Sequence, residues 1–180
     1  KPTSGKISEI EQPDVPLWSV WAMQQCAKEV GRDKCYEMYG KLLQDIVRFI
    51  LDGKHPNLRL DDNGLLYSNG RDKAVTWMNS TANGKPVVPR SGYIVEFNAL
   101  WYNALKFCAL MASEKGDVKG AATIETLAAQ VKDSFVDTFV NEYGYLLDYV
   151  DGTMMDWSVR PNIIFAVAFD YSPLNQQQMK

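Results

Sequence analysis

Histidine and cysteine are nearly missing from this sequence: His55 is the one imidazole, and Cys26, Cys35 and Cys108 are the only thiols among 180 residues. Three scattered cysteines cannot build a disulfide framework, and the odd number would leave one thiol over in an oxidising compartment, so a cytoplasmic protein is expected. No cysteine pair has zinc-type spacing, and His55 sits in a Gly53-Lys54-His55-Pro56-Asn57 turn, where it reads as a solvated loop residue. Neither a metal nor a cofactor is expected. Long apolar runs are lacking too. None reaches the roughly 18 residues that a bilayer span needs, and no charged-then-apolar signal opens the chain, so no membrane partner is expected. An excess of positive charge is also absent: 19 Lys and Arg against 22 Asp and Glu give a formal net charge of -3 with no basic stripe. That argues against nucleic acid. No internal repeat of roughly 20–50 residues occurs, which disfavours a helical interaction array. The first residue is Lys1 rather than Met, and a further N-terminal portion is expected.

What the chain does have is a 46% hydrophobic composition, enough to bury one substantial core and to argue for one domain or a large part of one. Aromatic residues make up 12%, with five Trp, and they recur beside acids and amides. That combination suits sugars, whose C–H faces stack on indoles, although large rings more often serve as core.

Residues 1–16, with Pro2, Pro13 and Pro16, read as an irregular opening segment. Leu17, Val20, Trp21, Met23, Ala27 and Val30 then recur at three- and four-residue steps, and Gly31 follows as a C-cap, which predicts a helix over 17–30. Tyr36, Tyr39, Leu43, Ile46 and Ile50 mark a second helix over 34–51, and the short Gly31-Arg32-Asp33 link makes the two antiparallel neighbours. Residues 53–92 hold five Gly, five Asn and three Pro and read as one long loop, the place to seek chemistry first. The Asp61-Asp62 pair before Asn63-Gly64 reads as a turn. A third helix over 95–115 is apolar on nearly every side and a fourth over 118–141 on one side, predicting a fully buried and a half-exposed helix. Residues 143–150 read as a short strand or extended loop. Pro161, at an N1-like position, begins a fifth helix over 163–169. Such alternation suits an all-α fold in which inner helices are buried all round and outer ones expose a face, and five helices would supply part of a ring of about twelve.

Certain segments carry a resemblance. They read Thr76-Trp77-Met78-Asn79, Pro89-Arg90-Ser91-Gly92, and Val95-Glu96-Phe97-Asn98-Ala99-Leu100-Trp101-Tyr102-Asn103-Ala104-Leu105. In order and spacing they resemble the TWMD, PR-x-G and VE-[IF]-NALWYNAL segments of the glycogen-debranching enzyme family, its amylo-α-1,6-glucosidase domain in particular. Asp14-Val15-Pro16-Leu17-Trp18 is similar to the family's D-[AT]-PLW, and Ser158-Val159-Arg160-Pro161-Asn162 with Tyr171-Ser172-Pro173-Leu174 is similar to its S-[IV]-RPNQ...YSPL. The resemblance runs from about residue 10 to the end. It implies a partial (α/α)6 barrel, residues 1–180 being a fragment of a single glucosidase-type domain. It also implies inverting hydrolysis of α-1,6-linked glucose at glucan branch points by two carboxyl groups. The implied partners are an α-glucan, glycogen or limit dextrin, and the remainder of the same polypeptide.

Asn79 stands where the family has its acid, and an amide cannot supply that proton. The family's base segment would lie past Lys180. The isolated chain is therefore expected to be inactive, and the rival reading is a non-catalytic α-glucan-binding domain derived from such an enzyme. The remaining candidates for substrate contact each carry a plain alternative. Glu96, at the start of an apolar helix, is expected to pair with Arg90, either as a structural ion pair or as part of a sugar site. Trp77, Trp101 and Tyr102 are candidates for a stacking wall, the core reading being ahead for Trp101 by its mid-helix position and the stacking reading for Trp77 in its loop. Asp14, beside Trp18, is a helix cap or a hydroxyl ligand. Asp156 and Arg160 carry the same ambiguity at the last helix start.

Overall fold

The computed structural model describes residues 12–179, so most of the expected irregular opening lies outside the described residues. Helix α1 is Asp14–Val30, beginning three residues before the apolar stripe does. Pro16 falls within its first turn, where the missing N–H would have had no helical partner anyway. Helix α2 is Arg32–Leu51. The single residue Gly31 separates the two, and its φ of 87° is a conformation that side chains with a Cβ rarely adopt. Arg32 and Asp33 tie this corner to the far end of α3 (Val95–Glu114), through Arg32 to Glu114 and Lys115 to Asp33.

Helix α3 is the centre of the molecule. Sixteen of its residues are buried, and it packs against α1, α2, α4 (Val118–Phe139) and α5 (Ile164–Ala168). Helices α2 and α4 bury one stripe each, Cys35, Leu43, Val47 and Ile50 on one and Ala121, Ala128, Val131, Phe135 and Phe139 on the other. Asp117 caps α4 by accepting from the Gly120 N–H at 2.9 Å. Gln24, Asn103 and Asp170 form a polar seam between α1, α3 and the C-terminal segment. Asn103 Nδ2 donates to Gln24 Oε1 at 2.8 Å, and Gln24 Nε2 donates to Asp170 Oδ2 at 3.0 Å.

The stretch read as one long loop contributes a sheet instead, joined by the segment beyond α4, where a short strand or extended loop was expected over 143–150. About half of the described residues are helical, and five short antiparallel strands stand beside them. These are β1 (Arg59–Leu60), β2 (Leu66–Ser68), β5 (Gly92–Ile94), β6 (Tyr149–Asp151) and β7 (Met154–Met155), in the order β1-β2-β5-β6-β7. A separate hairpin, β3 (Thr81–Ala82) with β4 (Lys85–Pro86), turns through Asn83-Gly84. The all-α expectation therefore gives way to helices plus a small sheet. Strands of two or three residues are too short to register as a period-2 pattern. Strand β5 runs straight into α3, and Asn98 stitches β2 to that helix, its Oδ1 accepting from Leu66 N–H at 2.7 Å and its Nδ2 donating to Leu66 O at 3.1 Å.

Two local readings are also corrected. His55 is 5% exposed, its Nδ1 accepting from the Asn57 N–H and its ring edge-on to Phe49, so it closes the end of α2 rather than facing solvent. The fifth helix begins as a 3₁₀ turn, Pro161–Ile163, before α5. The Asp61-Asp62 turn is present, the Gly64 N–H reaching Asp61 O at 2.8 Å.

Candidate functional site

Strand β5 can lie against β6 because residue 92 is glycine. A Cβ there would come within 2.2 Å of Val150 O, and its φ is 91°. Gly70 permits a similar approach, since a Cβ on it would meet Arg90 O at 1.9 Å. These contacts deliver Arg90, two residues before β5, to Asp148, one residue before β6. Arg90 Nε donates to Asp148 Oδ2 at 2.8 Å and its second terminal nitrogen to Oδ1 at 2.9 Å. The same guanidinium forms a two-pronged pair with Glu96 in the first turn of α3, as the sequence led us to expect. All three side chains are shut off from solvent.

Asp148 is the residue that sequence reasoning missed. It accepts from Arg160 at 2.6 Å and from Asn162 Nδ2 at 2.7 Å as well as from Arg90. Arg160 also pairs with Asp156 at 3.0 Å, while Asp156 Oδ1 accepts from the Ser158 N–H at 2.8 Å. Two guanidiniums thus meet three carboxyl groups drawn from four stretches of chain. The only available signal was a lone acid between Leu147 and Tyr149, since an acid embedded among apolar residues needs a partner. Burial pushes Glu96 up, against the pull of Arg90. For Asp156, burial also pushes upward, but Ser158 and Arg160 outweigh it and hold the carboxyl below its usual value. Removing one member of such a buried set costs about 3–5 kcal/mol, because the others keep their desolvation without their partner.

The loop between the sheet strands closes on this cluster. Trp77 is 54% exposed, yet its Nε1–H donates to Asn162 Oδ1 at 2.8 Å. Asn79, two residues on, is exposed at the foot of the β3–β4 hairpin. The other candidates lie apart from the cluster. Trp101 is 0% exposed and donates from Nε1 to Gly64 O at 3.2 Å, which places it in the core rather than in a sugar-facing wall. Tyr102 is buried in that same core, and burial pushes its hydroxyl up. Asp14 is the first residue of α1, one position inside the N-cap Pro13, and its carboxyl takes backbone hydrogen bonds from this helix start. Burial raises its carboxyl, which Trp18 partly offsets by hydrogen bonding to it. Trp18 in turn packs edge-on against Phe165 and Phe169 of the α5 region.

Trp77-Met78, Arg90, Glu96 and Arg160-Pro161-Asn162 are thus one spatial unit, with the exposed Asn79 next in the chain, although 85 positions separate Trp77 from Asn162. A family model described as amylo-alpha-1,6-glucosidase matches residues 3–180. The chain belongs to that family. No curated protein and no solved structure matches it. Within this amylo-α-1,6-glucosidase family member, Glu96 and Asp148 are clamped by guanidinium groups. Among the described residues no group of three or more His, Cys, Asp or Glu side chains is placed to hold a metal ion, and no helix is long and apolar enough to cross a membrane.

Proposed function

We propose that this chain forms part of an (α/α)6 glycoside hydrolase domain of glycogen-debranching type, acting on α-1,6-linked glucose at glucan branch points. The observation that carries this reading is the convergence of the Trp77–Asn79, Pro89–Gly92 and Arg160–Asn162 segments on one buried cluster, in a chain of the amylo-α-1,6-glucosidase family. The alternation of α3, buried all round, with the half-exposed α2 and α4 suits the inner and outer rings of such a barrel, of which residues 1–180 are one part. The partners proposed are an α-glucan and the remainder of the same polypeptide, in the cytoplasm. Trp77 offers its exposed ring face to a glucose, and the cluster under it keeps the loop in place. Inversion requires one carboxyl to protonate the leaving oxygen and another to activate water. With the amide of Asn79 in the acid position there is no proton to give there, and the isolated chain hydrolyses nothing.

A second reading is favoured by Asn79 itself: a non-catalytic α-glucan-binding domain that keeps the site and has lost the donor. Asn79→Asp in the full-length protein decides between the two. If the domain is a binding protein derived from an enzyme, the substitution raises kcat/KM on an α-1,6-branched limit dextrin by about 10²- to 10⁴-fold, the usual worth of a positioned proton donor. A wild type that already releases glucose briskly, with no gain in the variant, assigns the proton donor to another carboxyl and removes that role from position 79.

A further inference from the structure

An exposed tryptophan ordinarily leaves its indole N–H to water, and Trp77 does not. Its Nε1–H is bonded to Asn162 Oδ1, an atom of a residue that is 0% exposed. The amide of Asn162 is held from both ends by groups that admit one orientation. An indole N–H is donor only, so it must meet the amide oxygen; an ionised carboxylate is acceptor only, so Asp148 must meet the amide nitrogen. The bonds at 2.8 Å to Trp77 and 2.7 Å to Asp148 obey both demands at once. Asp148 cannot turn to release the amide, because Arg90 and Arg160 hold its two oxygens. Asn162 cannot shift either, being in the 3₁₀ turn begun by Pro161.

We infer that Asn162 is a positioning residue that fixes the plane of the Trp77 indole, passing the rigidity of the buried Arg90–Asp148–Arg160 cluster to an exposed glucan-stacking ring. This rests on the proposed role of Trp77 as the ring on which a glucose stacks. A flat apolar face already locked in its bound orientation spares the ordering cost that a free side chain meets on binding. The same bond makes Trp77 sensitive to changes that never touch sugar.

The test is a double-mutant cycle in the full-length protein, using Asn162→Ala and Trp77→Phe, with affinity for an α-1,6-branched limit dextrin measured by calorimetry. Phenylalanine keeps a ring but has no N–H, so it severs the relay from the other side. Asn162→Ala is expected to weaken binding about 3- to 10-fold in the wild-type background, the range of one hydrogen bond, and to have no further effect in Trp77→Phe. A second readout is ¹⁹F NMR of the 5-fluorotryptophan protein, with the Trp77 resonance assigned by its loss in Trp77→Phe. That resonance should shift or broaden in Asn162→Ala while those of Trp18, Trp21, Trp101 and Trp157 stay. Asn162→Ser keeps a polar group beside Asp148 but is too short to reach the indole, and it serves if the alanine variant does not fold. Equal loss of affinity in both backgrounds, or an unmoved Trp77 resonance, overturns the inference. If Trp77→Ala leaves glucan affinity unchanged, the stacking role of Trp77 fails instead, and the ¹⁹F signal still decides whether Asn162 orients the ring.

Discussion

Asp151 shows at the scale of one side chain how this sheet handles charge. It accepts from the Tyr67 hydroxyl at 2.9 Å and from Arg71 at 2.9 and 3.0 Å. Burial pushes its carboxyl up, but Arg71 and Tyr67 outweigh that and hold it below the ordinary 3.8. A carboxyl lowered by folding contributes stability that is fully present above its unfolded value and is lost as pH falls through its folded one. Asp151→Asn should therefore destabilise the protein at about pH 6, and the difference from wild type should be smaller at about pH 3, below the unfolded value of 3.8. Urea midpoints at the two pH values check this. A difference that stays constant would mean that the hydrogen-bonding geometry matters and the ionisation does not.

Among the elements, the junction of β5 and β6 is the one with no room for change. Gly92→Ala would need a positive φ from a residue with a Cβ and would drive that Cβ to 2.2 Å from Val150 O. The register Tyr93↔Val150 and Ile94↔Tyr149 cannot survive this. The expected loss is more than about 2 kcal/mol, since strain and a broken ladder add, and it appears as a fall in Tm together with loss of the Arg90–Asp148 contact. The same junction explains what could be read from the sequence and what could not. Helices α2, α3 and α4 were legible because each repeats its apolar residues for twenty positions or more, and the Arg90–Glu96 pair because six residues separate its members. The extended character of 143–150 could be read too, but not its pairing, because β6 is three residues long and finds its partner in β5 far back along the chain. Asp148 was lost with it. Of the two readings open for Trp101, the core one, favoured by its mid-helix position, is what the structure shows, since a family segment names a residue without saying which way it faces and on α3 nearly every face is inward.

Taken whole, the molecule is arranged around α3, and its stability should be graded outward from that helix. Hydrogen exchange provides the measure. The α3 amides from Phe97 to Met111 should exchange only through global unfolding, and those of the β3–β4 hairpin, whose residues are almost all exposed, through small local openings. Fast exchange in mid-α3 would contradict the central place given to it. The buried cluster has one more consequence, which concerns the order in which the chain is made. Arg90 leaves the ribosome 58 residues ahead of Asp148, an interval of about 3–12 s at ~5–20 residues per second. Throughout that time β5 has β2 on one side and an open edge on the other, where another nascent chain can add a strand. The vulnerable moment in the life of this protein is therefore during translation, between the appearance of residues 94 and 151, and slowing synthesis across that stretch would lengthen it.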